Sequence, residues 1–464
     1  MRGAGLQAKV VAARAAGALS RRAGRGGTSL PGKLLMRLQP DAISTLARRL
    51  GRGSAVISAT NGKTTTAAMV AAIMERTGAR LVHNRAGANM AGGVATALLS
   101  AAEGGWLGTP AMDGDLGLFE VDEFWLARVT DQLRPRALLL GNLFRDQLDR
   151  YGELETIADR WGEVVLRAQD SALVLNADDP LVADLGKDRV GGDRVLFFGV
   201  EDDAVALAGM QHAADSKHCR RCGSPYVYDA IYLGHLGRYH CPTGDNHRPR
   251  PQVAAEGVTL DGARGARFAL RTPAGVAQVA LPLPGLYNVY NALGAAALAF
   301  TLGAGLEDVR AGLEATAPAF GRAETVEVGG RPVRILLVKN PAGANEVLRT
   351  LALEEGEHDL LAVLNDGVAD GRDVSWVWDA DFELVADSLR RVTCSGTRAA
   401  ELALRLKYAG VPTERLHVVD DLPRALDAAV AAGSGALYAL PTYTALLELR
   451  RELVDRGLAA GAFG

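Results

Sequence analysis

The chain has 464 residues, too many for one compact core, and usual domain sizes imply roughly two to four units. Apolar residues make up 48% of it with only 5% aromatic, and Ala and Gly dominate, which excludes wholesale disorder and suits helices packed closely on sheets. The 51 basic and 54 acidic residues nearly cancel to a formal charge of -3, so nothing global points to nucleic acid and any anion site must be local.

Residues 1–40 carry Arg2, Lys9, Arg14, Arg21, Arg22 and Arg25, with no acid before Asp41. Arg14 interrupts the apolar run between them, which makes a poor secretory signal. Two readings stay open for this arm: a basic amphipathic segment resting on an anionic membrane surface, or a solvated helical arm packing on the first domain. No run of about eighteen apolar residues occurs, so no transmembrane helix is expected. Four cysteines make no disulfide framework in a chain of this length. A reducing compartment follows, and the expected location is the cytoplasm, with a peripheral position at the inner membrane face compatible with the arm.

From Ala55 to Val200 strand-like apolar runs alternate with helical stretches, the pattern of a parallel sheet covered on both faces. The runs are Ala55 to Ala59, Leu116 to Val121, Ala137 to Leu140, Ala172 to Leu175 and Val195 to Phe198. Cysteines, histidines, Gly, Pro and Arg then cluster over 211–251 and break the rhythm, as an inserted loop-rich module would. Gln252 to Leu283 predicts β-hairpins, and Tyr290 to Leu302 an Ala-rich helix. A second alternating series has runs at Ile335 to Val338, Leu360 to Leu364, Val392 to Cys394, Leu416 to Val419 and Ala436 to Leu440, with a helix over Arg398 to Tyr408. The expected organisation is a basic arm over 1–40, a central α/β domain over 41–324 that contains the 211–251 insertion, and a smaller Rossmann-like α/β domain over 325–464.

Ala59-Thr60-Asn61-Gly62-Lys63-Thr64-Thr65-Thr66 follows a strand and opens a helix. Backbone amides at such a turn converge on phosphate oxygens, Lys63 supplies a point charge, and the Thr64 hydroxyl suits magnesium. The full phosphate-loop spacing would need Gly where Ile57 stands. Thr60, Asn61, Gly62, Lys63, Thr64 and Thr65 are the candidate nucleotide contacts. Phe119-Glu120-Val121-Asp122-Glu123 ends an apolar strand where a doubly wound sheet places its crevice, and its carboxylates make a natural magnesium site with Glu120 foremost. Asn142-Leu143-Phe144-Arg145-Asp146-Gln147-Leu148-Asp149-Arg150-Tyr151 follows the next strand.

The order of these blocks resembles the Mur ligase family, which includes the folate polyglutamate synthases. In that family the phosphate loop reads Gly-Thr-x-Gly-Lys-Thr and a later loop reads Asn-x-x-x-Asp-His-Leu-Asp; here Ala59 replaces the first Gly and Gln147 the His. The likeness continues through Asn176-Ala177-Asp178-Asp179-Pro180, through Gly285 to Leu293, where the family implies an adenine contact at Asn288, and through Gly321-Arg322-Ala323-Glu324, whose Arg322 suits phosphate or carboxylate. The resemblance implies a Mur-ligase-like ATPase fold using ATP and Mg2+. Two departures point to one subgroup: the phosphate loop begins too early for a full preceding domain, and the family's Asp-x-x-His-Asn-Pro segment appears as Leu337-Val338-Lys339-Asn340-Pro341.

That subgroup amidates lipid II. By resemblance, the substrate carboxylate is the α-carboxylate of D-glutamate in the lipid II stem peptide, at the membrane surface, and the product is D-isoglutamine. ATP makes an acyl phosphate, and ammonia comes from a class I glutaminase partner of the GatD type. Cys394 sits inside an apolar run as a buried structural thiol, so this chain offers no glutaminase nucleophile. The resemblance further suggests that an Asp of Asn365 to Trp376 orients the partner's histidine, with Asp370 first, Asp373 next and Asp366 behind them.

Cys219 and Cys222, with Cys241 after Tyr239 and His240, resemble half of a zinc ribbon and more; the family's fourth cysteine is Gly244 here. Structural zinc wants four ligands, so His218, His240, Asp245 and His247 are candidates for the fourth. Two other functions compete: a Mur or folylpolyglutamate-type ligase that adds an amino acid, and a non-catalytic nucleotide-gated binding protein. Lys339 counts against the first, and the carboxylates from Glu120 to Glu123 would lack a purpose in the second.

Overall fold

The apolar runs become strands of two separate main sheets in the computed structural model, which describes residues 2–22, 29–84, 88–102, 111–146, 153–189, 194–212, 214–317 and 322–459. Helices α1 (Arg2–Arg22), α2 (Leu30–Leu38) and α3 (Ala42–Ala47) precede β1 (Ser54–Ser58). There follow α4 (Lys63–Arg76), β2 (Leu81–His83), α5 (Ala91–Ala101), β3 (Leu116–Glu120), α6 (Leu126–Leu133), β4 (Ala137–Leu140), α7 (Leu154–Arg167), β5 (Ala172–Asn176), α8 (Pro180–Asp184) and β6 (Val195–Val200). The hairpin β7 (Val227–Leu233) and β8 (Leu236–His240) intervenes before β9 (Val253–Leu260), β10 (Ala266–Thr272), β11 (Gly275–Leu281), α9 (Leu286–Thr301) and α10 (Leu306–Glu314).

Among the described residues the first sheet runs β11-β10-β9-β6-β5-β4-β1-β3-β2. It is parallel from β2 to β9, and β9, β10 and β11 pair antiparallel. Parallel strands must be covered on both faces, and β1, β3 and β4 are buried at every residue. One face packs on α4, α9 and α10, and the other on α1 to α3 and α5 to α7. In the arm, Leu6, Val10 and Ala13 are buried in that second core. Arg14 donates to the carbonyls of Leu99, Ser100 and Ala102, satisfying acceptors that the end of α5 leaves open.

The second sheet contains β12 (Arg322–Val328), β13 (Arg331–Leu336), β14 (His358–Val363), β15 (Leu389–Ser395), β16 (Leu416–Val418) and β17 (Leu437–Pro441), in the order β12-β13-β17-β14-β15-β16. Helices α11 (Pro341–Ala352), α12 (Ala399–Tyr408), α13 (Leu422–Ala431) and α14 (Tyr443–Asp455) cover it on both faces. This is the α/β architecture that the sequence predicts. Every predicted strand overlaps an observed one, whereas β2, only Leu81–His83, is too short to announce itself. No helix among the described residues is long and apolar enough to cross a membrane.

Asn176-Ala177-Asp178-Asp179-Pro180 fastens the insertion to the first sheet. Asp179 caps α8 by accepting from Leu181 and Val182 N–H, with Pro180 at the start of the helix, and also accepts from Leu143 N–H at 2.8 Å. The fully buried Asp178 accepts from Val200 N–H, from the Tyr290 hydroxyl at 2.6 Å and from the Arg248 guanidinium at 2.6 Å. Arg248 is itself buried, and Asp178 with Glu201 holds its guanidinium charged against the effect of burial. Asp178→Ala should therefore cost about 3 kcal/mol by stranding a buried cation, seen as a lowered thermal unfolding midpoint. An unchanged midpoint would show that this cluster does not hold the insertion.

Candidate functional site

The chain leaves β1 at Ser58 and turns through Ala59 to Gly62 into α4, beside the ends of β3 and β4. Ligands of doubly wound sheets sit at such strand ends. The turn is held by Asn142: Thr60 N–H donates to its carbonyl at 2.9 Å, Asn61 N–H to its Oδ1 at 2.9 Å, and its own amide donates to Asn61 O at 3.0 Å. The Thr60 hydroxyl bonds the backbone of Phe144. Gly62 has φ +87, and a Cβ there would lie 1.9 Å from Asn291 Oδ1, so both the conformation and the space demand glycine. Ala59 does not share that requirement, because its φ is negative, and its methyl fills the space over Gly141, whose own Cβ would come within 3.0 Å of it.

Lys63, Thr64, Thr65 and Thr66 form the first turn of α4, where unpaired N–H groups gather. The Lys63 ammonium lies 2.9 Å from the Glu123 carboxylate and also donates to Ala59 O. Burial would pull that ammonium down, but Glu123, helped by Asp122 and Asp146, holds it above the ordinary lysine value. Glu120, 2% exposed, stands opposite Ile57 in the register of β1 and β3, and Asp122 is also buried. Oxygen donors of this kind are the type that suits a hard divalent cation.

The turn opens into a solvent-open cleft between the two sheets. Its polar end is Asn61, Gly62, Thr65 and Lys339, and its apolar end includes Leu233, Leu236, Leu283 and Tyr287. Such a shape fits a nucleotide, with phosphates at the turn and a base among the apolar side chains. Asn288 lines this cleft from the start of α9; its amide donates to Pro284 O, and its Oδ1 accepts from Asn291. Arg322 lies in β12, but its side chain falls outside the described residues, as do Gln147, Leu148, Asp149, Arg150, Tyr151 and Gly321.

The second sheet closes the cleft with Lys339 and Asn340. Asn340 caps α11, accepting from Gly343 N–H at 2.9 Å with Pro341 next in the chain, and exchanges amide hydrogen bonds with Asn61 at 3.0 and 3.3 Å. Lys339 donates to Thr60 O at 3.2 Å and pairs with Asp146. A shallow groove continues from Lys339 and Asp146 to Asp370, Asp373 and Trp376.

The three acids of the loop differ, and two of them, Asp370 and Asp373, line that groove. Asp370 is buried and bonds both the N–H and the hydroxyl of Thr444 at the start of α14. Asp366 is held by the Thr397 hydroxyl and Arg398, which keep its carboxyl below the usual range. Asp373 is exposed, and its bonds with Ser375 likewise keep it ionised. Cys394 is fully buried and its thiol is pushed up to about 12 by burial, as a structural thiol should be.

In the insertion the sulfurs of Cys219, Cys222 and Cys241 lie within 4.8 Å of one another at the open end of the β7–β8 hairpin. Hydrogen bonds from Thr243 and Ser224 pull the exposed Cys222 thiol down to about 6. Three converging thiols fit a soft or borderline metal such as zinc. None of His218, His240, Asp245 and His247 joins them, which corrects the expectation of a fourth ligand from that set. The hairpin pairs His240 with His247 backbone to backbone and sets His240 Nδ1 3.7 Å from Asp229, away from the sulfurs.

Asn142, Asn291 and Asn340 are site residues to which sequence reasoning assigned no role. Asn142 at a strand end and Asn340 before a proline carried a signal; Asn291, one turn into an Ala-rich helix, carried none. Gly62→Ala should weaken adenine-nucleotide binding by about tenfold or more, measured by calorimetric titration, with circular dichroism unchanged. Retained affinity would show that the turn does not grip the nucleotide.

Family models match this chain over residues 57–240, as the Mur ligase middle domain, and over 337–446, as the MurT ligase C-terminal domain. The lipid II isoglutaminyl synthase (glutamine-hydrolyzing) subunit MurT of Streptococcus pneumoniae is 31% identical over 94% of this chain and 94% of its own length. The protein of the same name from Staphylococcus aureus is 32% identical with the same coverage of both. Among solved structures, a pseudomurein peptide ligase type C from Methanothermus fervidus superposes with a TM-score of 0.67 at 22% identity, covering 89% of this chain and 80% of that one. Mycobacterium tuberculosis folylpolyglutamate synthase, solved with ADP and AMPPCP, superposes with a TM-score of 0.59 at 19% identity, covering 88% and 94%. Identity of this extent over nearly the whole of both chains, on a Mur-ligase fold whose phosphate turn is closed from the second sheet, places the chain in the MurT family of Mur ligases.

Proposed function

We propose that this chain is the ATP-using subunit of a lipid II isoglutaminyl synthase, converting the α-carboxylate of D-glutamate in the lipid II stem peptide to the amide of D-isoglutamine. The observation that carries this reading is likeness over 94% of both chains to proteins of that name, joined to a cleft that the turn before Lys63 opens into. A carboxylate is a poor electrophile. Its oxygen attacks the terminal phosphorus of ATP, the bond to ADP breaks, and the acyl phosphate carries a good leaving group. Lys63 turns from Glu123 to the phosphoryl oxygens, and the amides of Thr60 to Thr64 hold them. Glu120 and Thr64 would hold Mg2+, which would offset the charge that develops there. Asn288 and Tyr287 border the base, and Arg322 remains a candidate for the phosphate or the substrate carboxylate.

Ammonia then forms the bond to the carbonyl carbon, phosphate leaves, and nitrogen gives up a proton. Free ammonia is mostly protonated in neutral water, so delivery from a glutaminase partner of the GatD type suits the chemistry. The groove from Asp373 to Lys339 supports that direction of delivery. Of the loop acids, Asp373 is exposed and ionised and so suits the partner's histidine; Asp370 is engaged by Thr444, and Asp366 by Arg398. The three thiolates of Cys219, Cys222 and Cys241 hold a structural zinc. An amino-acid-adding ligase is disfavoured because Lys339, paired with Asp146, brings a cation to the side from which the nucleophile would enter.

The test is co-expression with glutaminases of the same genome and mass spectrometry of lipid II, which shows a small mass loss when OH is exchanged for NH2. Lys63→Ala should abolish that loss while the complex still assembles; unchanged amidation would remove Lys63 from the mechanism. Asp373→Asn should depress glutamine-driven amidation roughly 100-fold or more and spare ammonia-driven amidation. If Asp370→Asn alone gives that selective pattern, the role belongs to Asp370.

A further inference from the structure

The three sulfurs at the open end of the β7–β8 hairpin lie within 4.8 Å of one another, and beside them stands a residue that has no side chain. A Cβ built on Gly244 would lie 3.6 Å from Cys241 Sγ and 3.8 Å from Cys222 Sγ, with no other heavy atom outside the adjoining residues within 4 Å. That is where the second half of a Cys-x-x-Cys pair would place its last thiolate. Gly244 has no left-handed φ, so its backbone would accept a side chain. No histidine or carboxylate among the described residues joins the three sulfurs. The nearest other donor is the Thr243 hydroxyl, 3.4 Å from Cys222 Sγ and 3.7 Å from Cys241 Sγ, a neutral group already bonded to Ser224. Cys222, Thr243 and Gly244 are all exposed, so the bare corner faces solvent, while Cys219 and Cys241 are buried behind it.

We propose that this corner binds zinc through Cys219, Cys222 and Cys241 and keeps its fourth position, beside Gly244, open to a small nitrogen or sulfur donor from solution. The inference rests on the zinc reading above. Zinc that is closed by four protein ligands is shielded from exchange, whereas three ligands leave a position that solution ligands enter. The module would therefore hold a metal that is ligand-responsive and more readily lost than that of a four-thiolate ribbon.

Cobalt(II) tests this on the full chain, because thiolate charge-transfer and d–d bands report its ligands directly. One equivalent of cobalt should bind, displaced by zinc and lost in Cys241→Ser; absence of this binding would sink the zinc reading itself. With cobalt bound, imidazole should shift the d–d bands of the parent chain and of Gly244→Ala. In Gly244→Cys the thiolate charge-transfer intensity should rise by roughly a third, the bands should ignore imidazole, and zinc should pass to a chelator more slowly. Bands in the parent chain that ignore imidazole, with Gly244→Cys leaving the spectrum unchanged, would overturn the open position while leaving the metal site standing.

Discussion

The phosphate turn belongs to the first sheet but is completed by the second, through the amide pair of Asn61 and Asn340 and the pairing of Lys339 with Asp146. Two helices, α4 and α11, begin within this contact, and Asn340, which caps the second, is also the residue that bonds the turn preceding the first. Neutral amide hydrogen bonds contribute about 1 kcal/mol each, and a half-exposed ion pair is worth little more. Together they fix the alignment of the halves without locking it, as expected where substrates must enter between units joined by a modest interface. The tightly held parts lie elsewhere, in Asp178 with Arg248 and in Asp359 with Arg331 and Arg390, each inside one half.

Lys63 occupies an electrostatic compromise within that site. Its partner Glu123 is as buried as it is, so the pair is screened little by water. A triphosphate brings several negative charges against the single one of Glu123, and the amides of the turn favour the phosphate further. Glu123 keeps that buried cation compensated, and Lys63 in turn offsets the repulsion between Glu123 and its neighbour Asp122.

What the sequence announced and what it withheld divide along local and tertiary lines. Strands β1, β3, β4 and β5 are continuous apolar runs because both faces are covered, and such runs are visible without knowledge of partners. The phosphate turn is equally local, since its spacing fixes its conformation. Ala59 looked like a defect against the family pattern, yet its tolerance depends on Gly141, a strand away in space. Likewise Gly62 is demanded by Asn291, and Asp370 is drawn inward by Thr444; these contacts join residues far apart in the chain, and no period or spacing encodes them. The contact of Asp370 with Thr444 is one that the order of acids along the loop does not reveal.

The same distinction decides what the cysteine module contributes. An isolated two-stranded hairpin is marginal in water, and this one is fastened at both ends by different means. At its tip, His235 is fully buried against Phe144, Gly237 N–H donates to Asp178 O at 2.9 Å, and Leu233 and Leu236 form the wall of the nucleotide cleft. At its open end, the three sulfurs are the converging groups, with Tyr226 and Tyr239 packed beneath them. The β7 strand spans seven residues, about 23 Å at ordinary strand rise, between those ends. Because the tip is anchored by the core, loosening the cysteine end frays the hairpin from the far side and leaves the cleft wall seated. Glycine at position 244 is tolerable in this chain for that reason: the cleft end of the module does not depend on the strength of the cysteine end.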